Sequence, residues 1–176
     1  MSATHQQLST SYSTAEQPST AEQSSTAATN PSTPGTQTSY PQEKTITGMI
    51  TRLEPNEVFV FGSNLGGRHG AGAARKAMEW GAIWGNSVGH QGQTYAIPTV
   101  DASVRNTLSL AEIQPYAIEF IEYAKEHPEL VFLLTDVGCG LAGLRAEDVA
   151  PLFLEALTIP NIRIHHKFMD VLFNQN

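Results

Sequence analysis

The run Glu57-Val58-Phe59-Val60-Phe61-Gly62-Ser63-Asn64-Leu65-Gly66-Gly67-Arg68-His69-Gly70-Ala71-Gly72 decides how the rest of the chain is read. From Val58 to Phe61 every side chain is β-branched or aromatic, so residues 57–61 read as a buried strand that stops at Gly62. The densest turn signal of the chain follows at once. Residues 73–80 then favour a helix, with Ala73, Ala77 and Trp80 sharing one face and Gly81 placed to cap the carboxyl end. The resulting order is strand, glycine loop, helix.

Downstream, a second glycine-rich connection from Gly81 to Gly92 leads into Thr94-Tyr95-Ala96-Ile97-Pro98, a short strand ended by its proline. Ser109-Leu110-Ala111-Glu112 fits a capping box. Ile113, Ala117, Phe120, Ile121 and Ala124 mark one apolar helical face, and Pro115 is expected to shift the first regular turn past itself. Leu130 to Thr135 is the clearest strand, continuously apolar as strands covered on both faces are. It runs into Asp136-Val137-Gly138-Cys139-Gly140-Leu141-Ala142-Gly143, after which residues 146–157 read as a helix and Ile162-Arg163-Ile164 as a final edge strand. This alternation predicts a three-layer α/β/α sandwich with a mostly parallel or mixed sheet.

Upstream, composition changes sharply near residue 44. Residues 1–44 are mostly Ser, Thr, Gln, Ala and Pro, with the near repeat Ser-Thr-Ala-Glu-Gln at 13–17 and 19–23. Such a stretch cannot bury enough apolar area to offset its backbone entropy, so it is expected to be a disordered tail, with one domain over residues 45–176. The tail lacks the basic start and apolar core of a secretory signal. The formal charge is −7; Glu16, Glu22 and Glu43 against Lys44 place −2 in the tail, leaving −5 on the domain. That sign disfavours duplex nucleic acid and anionic membranes as partners, because both are bound through clustered Lys and Arg. A small anion stays compatible, since backbone amides can hold it. Cys139 is the single cysteine, which excludes an intrachain disulfide. No apolar run approaches membrane-spanning length, and a cytoplasmic protein is the expectation.

In open α/β sheets ligands sit beyond the carboxyl ends of strands. Both glycine loops follow buried strands, so parallel, adjacent strands at 57–61 and 130–135 would set the loops face to face across one crevice. Loop one would offer amides at the start of the helix beginning near Ala71, and loop two, Gly138-x-Gly140-x-x-Gly143, would wrap a phosphate without side-chain obstruction. The spacing is not the dinucleotide fingerprint, because no helix opens at the loop and no acidic ribose partner follows. A Walker loop is excluded by the missing Gly-Lys-Ser/Thr.

The runs Val58–Ala74, Thr94–Thr99 and Thr135–Gly143 together resemble small bacterial and phage proteins of macro-domain-like type, over nearly all of residues 46–170. The resemblance implies a macro-like fold and binding of ADP-ribose or a related NAD metabolite, with ADP-ribosyl hydrolysis in some members and no cofactor. By motif, it implies that Asn64 meets the distal ribose and that Gly66, Gly67, Gly70 and Gly72 form the first phosphate loop. Gly138, Gly140, Leu141 and Gly143 would form the second. Loop one departs from the hydrolase pattern, carrying Arg68-His69 where an acidic residue often stands.

Read by residue type, Arg68 and His69 could clamp a phosphate or, for His69, move a proton, and could equally be solvated loop charges. Asp136, at the end of the clearest strand, and Asp101, after Ile97-Pro98-Thr99, are the candidate acids or bases beside His69. Asp136 could equally accept amides of its own turn. Cys139 lies between two glycines, as a ligand contact or nucleophile or, more commonly, as a small buried thiol. His165 and His166 are expected on opposite faces of a strand, so no metal site is expected. Two readings stay open: a nucleotide-sugar hydrolase, and a non-catalytic sensor or interaction domain. A nuclease built on Arg68 and His69 is disfavoured by the acidic balance.

Overall fold

A computed structural model describes residues Tyr40–Asn174, and the tail expectation for residues 1–39 lies outside them. Its centre is β2 (Glu57–Asn64), flanked by β4 (Thr94–Val100) on one side and β5 (Val131–Leu134) on the other. β6 (Ile162–His165) continues the sheet beyond β5, and β1 (Thr45–Ile46) closes that side. All of these pair parallel, while β3 (Gly89–Gln91) runs antiparallel at the edge of β4. Four helices, α1 (Gly72–Ala77), α2 (Leu110–Glu126), α3 (Ala146–Val149) and α4 (His166–Asn174), flank the six strands. The expected α/β class with a mostly parallel sheet is borne out.

The alternation of β2 feeds two layers. Val58 and Val60, with Tyr95, Ile97, Phe132, Leu134, Ile162 and Ile164, meet apolar residues of α2 and α4 and Phe153 between them. Phe59 and Phe61 point the other way, onto Ala74 and Ala77 of α1. Each such side chain contributes about 1.5–3 kcal/mol when fully buried. The segment joining β1 to β2 adds Ile50 and Leu53 to this second layer.

Several boundaries differ from the sequence reading for local reasons. Both hydrogen bonds of the Ser109–Glu112 capping box form, so α2 starts at Leu110 and Pro115 lies inside it. β4 runs on through Pro98, which sits opposite Ser63 where the register shifts, so the missing N–H falls at an irregularity. The helix expected over 146–157 splits into α3 and a 3₁₀ segment, Ala150–Thr158, with Phe153 outside helical geometry at φ −111°. β6 is not an edge strand, because Thr45 and Ile46 pair outside it with Ile164 and His165. A two-residue strand is too short to carry a period-2 signal.

The expected boundary after residue 44 also falls inside a packed segment. Tyr40 is buried, its hydroxyl donates to Asp170 Oδ1 at 2.8 Å, and its ring lies 5.6 Å from that of Phe173. Lys44 Nζ donates to the carbonyls of Ala156, Leu157 and Ile159 at 3.1, 2.9 and 2.7 Å. Composition averaged over the tail hides these two anchoring residues. Among the described residues no helix is long and apolar enough to cross a membrane.

Candidate functional site

β2 and β5 are parallel neighbours with Val60 opposite Leu134, so the loops that leave them face one another. A Cβ added at Gly62 would lie 3.2 Å from the Gly138 amide nitrogen, which shows how closely the two exits approach. Between and beyond them lies an open crevice of about 1200 Å³. Its walls come from Asn64, Arg68 and Gly70–Ala74 on loop one and α1, and from Asp136–Gly138 and Gly140–Ala142 on loop two. Lys76 of α1, Thr47–Thr51, Trp84, Val104 and His165–Lys167 also line it.

Loop one is wired internally. Asn64 is buried at the end of β2, its Nδ2 donates to Arg68 O at 2.7 Å, and its Oδ1 accepts from Arg68 N at 3.0 Å. Gly67 has φ +61°, and a Cβ there would lie 2.4 Å from Gly85 C. A Cβ at Gly66 would come within 2.8 Å of Ala102 O. Neither glycine is among the residues lining the crevice, and neighbouring backbone presses on both, which by itself requires glycine there. Gly70 and Gly72 do face the crevice, Gly70 with open space around it.

His69 is likewise not a crevice residue. It is 2% exposed, its ring packs edge-on against Phe61, and its Nε2 lies 3.0 Å from Asn86 O. Bonding a carbonyl requires the proton on Nε2, so this imidazole ties loop one to the 83–86 turn, and its Nδ1 is buried without a partner.

Asp101 is also corrected. Its carboxylate accepts from Ser103 Oγ, Arg105 N and Asn106 Nδ2, does not line the crevice, and is held far below the usual carboxylate range, chiefly by the Arg105 amide. It is the clamp of its own loop. Its partners lie two, four and five residues away, so that role was readable in Asp101-Ala102-Ser103-Val104-Arg105-Asn106.

Loop two is a series of turns. Cys139 N bonds Asp136 O at 3.0 Å, Gly143 N bonds Gly140 O at 3.0 Å, and Leu144 N bonds Gly138 O at 2.9 Å. The amides of Gly140, Leu141 and Ala142 take part in none of these bonds, and all three residues line the crevice. Gly140 has nothing within 4 Å of where a Cβ would stand. Leu141, 81% exposed, reaches across to Gly72, where a Cβ would come within 3.2 Å of its Cδ1.

Cys139 and Gly143 lie off the crevice. The Cys139 side chain packs against the main core, and burial, helped by the Asp136 charge, pushes its thiol up to about 11. A half-buried thiol raised in this way is a poor nucleophile near neutral pH. Asp136 does line the crevice, and its Oδ2 accepts from Lys167 Nζ at 2.7 Å.

His165 and His166 do not point to opposite faces. The strand ends at His165 and α4 begins at His166, so strand alternation stops there, and the two rings lie 4.3 Å apart. Both Nδ1 atoms are buried without a partner, and burial lowers the His165 imidazole below its ordinary range. No cluster of three or more metal-ligating side chains occurs among the described residues.

Sequence reasoning missed Trp84, Val104, Lys167 and the segment 47–51. Lys167 could have been found, because a parallel β6 must deliver its carboxyl end to the same crevice. Nothing in the sequence of residues 47–51 marks them as a wall.

No family model matches the chain, and no curated protein matches it. Among solved structures it is similar to Thermosipho africanus DarTG in complex with ADP-ribose, at 18% identity and a TM-score of 0.46. The alignment covers 62% of this chain and 37% of that one, so the chain spans little more than a third of that protein's length.

Proposed function

We propose that this chain binds ADP-ribose or a closely related nucleotide-sugar diphosphate, with the diphosphate between its two glycine loops. One observation carries the reading. The chain has a formal charge of −7, yet among the described residues the crevice is lined by Arg68, Lys76 and Lys167 against a single carboxylate, Asp136. Lys76 and Lys167 are each paired with a carboxylate, Glu79 and Asp136, so Arg68 is the cation left to a ligand, and three successive loop-two amides and the open glycines 70 and 140 leave room for phosphate oxygens. Asn64, wired into loop one, retains acceptor capacity toward a ribose hydroxyl. The macro-like sequence pattern supports the same ligand class.

Calorimetric titration with ADP-ribose, NAD and AMP tests this. ADP-ribose should bind at least about tenfold more tightly than AMP, which cannot span both loops, and should weaken with salt. Equal affinities, or no binding, would overturn the reading.

The geometry favours binding without turnover. Two of the three candidate acid or base groups, His69 and Asp101, lie off the crevice, and the third, Asp136, is engaged by Lys167. The expected result is no release of ADP-ribose from an ADP-ribosylated peptide or from O-acetyl-ADP-ribose. Turnover that Asp136→Asn lowers about a hundredfold, the scale of a lost general base, would restore the hydrolase reading.

A further inference from the structure

Val104 is the one described residue other than glycine with positive φ, at +61°, and it is β-branched, the type least suited to that region. The conformation is imposed from three sides. Asp101 clamps the loop through Ser103, Arg105 and Asn106, and Val104 N itself donates to Asp101 O at 3.1 Å. Ala102 O abuts Gly66 of loop one, and Thr107 Oγ1 donates to Ala142 O of loop two at 2.7 Å. The loop after β4 is therefore fastened to both glycine loops. Its strained residue lines the crevice with its side chain half in solvent. Strain of this kind persists where surroundings over-determine it, and here they hold an apolar side chain on the wall of the crevice.

Resting on the proposed ligand class, we propose that Val104 is a specificity-determining residue, packing against the C–H face of the sugar beyond the diphosphate. The strand order supports the assignment. With the diphosphate between the exits of β2 and β5, the β4 loop stands on the far side of β2, where Val100 pairs with Asn64 and Ala102 O abuts Gly66. A ligand extending past loop one on that side meets Val104. Exposed Trp84 also lines the crevice and adds to its apolar wall.

Val104→Gly and Val104→Asn accept positive φ and separate this role from a purely structural one. Both should melt about 2–4 °C above wild type, because strain is relieved. Both should bind ADP-ribose about fivefold to thirtyfold more weakly, the scale of one lost apolar contact. Affinity for ADP, which lacks the terminal sugar, should not change. Unchanged ADP-ribose affinity, an equal loss for ADP, or variants no more stable than wild type would each overturn the assignment. Failure of wild type to bind ADP-ribose would overturn the ligand class and the Val104 role together. Wild-type binding with unaffected variants would overturn only the latter.

Discussion

Loop one and loop two look alike in sequence, each a cluster of glycines after a buried strand, and they are built by opposite means. In loop one, Gly66 and Gly67 are forced by neighbouring backbone, and Asn64 and His69 are spent on stitching the loop to itself and to Asn86. In loop two, Gly140 stands in open space and its amide and those of Leu141 and Ala142 donate in none of the turn bonds. Glycine density therefore reports two different needs. One is close backbone packing; the other is access for a ligand. What a Cβ would touch separates them.

The largest effect that could break this contrast belongs to Gly67→Ala. A left-handed alanine costs about 1–2 kcal/mol and overpacking about 1–3 more, so the variant should lose several degrees of melting temperature. A melting curve matching wild type would mean loop one is not set by its contact with Gly85.

Asn64→Ala follows. It removes both side-chain bonds to Arg68 and should cost about 1–2 kcal/mol in denaturant unfolding. Stability equal to wild type would reassign Asn64 from scaffold to ligand contact alone.

Gly138→Ala sharpens the comparison within loop two. With φ +81° and Leu144 Cδ1 2.9 Å from a Cβ, Gly138 should behave like a loop-one glycine. The alanine variant should lose about 1 kcal/mol, much of it backbone strain. Gly140→Val should have the smallest effect on stability, within about 0.5 kcal/mol of wild type, while weakening ADP-ribose binding in calorimetry. A normal affinity there would leave loop two as a turn and nothing more.

The frame of the site was legible where local sequence dictates it. Val58–Phe61 and Val131–Leu134 are continuous apolar runs, so they had to be central strands, and their carboxyl ends had to carry the crevice. Side-chain roles were less legible because residue type was read without partners. His69 looked like a proton carrier until Asn86, 17 positions away, was seen to hold it. Asp136 was placed correctly at the crevice, but its partner Lys167 comes from α4, an element whose apolar face was not read. Tyr40 and Lys44 were lost in the average of a polar tail. Val104 carried no signal at all, since its conformation is set by a loop clamp and by two other loops.

The pairing of β1 with β6 has a consequence for how the molecule is made. A ribosome delivers β1 before any other described strand, yet Thr45 and Ile46 pair with Ile164 and His165 near the far end of the chain. By then β2, β4 and β5 have already emerged and can pair among themselves, whereas the long-range closure carries the larger entropic cost. The wall formed by Thr47–Thr51 and His165–Lys167 is thus the last whose residues are all synthesised. A nascent chain stalled just after Gly143 would hold both glycine loops and still lack His165–Lys167 from one side of its crevice.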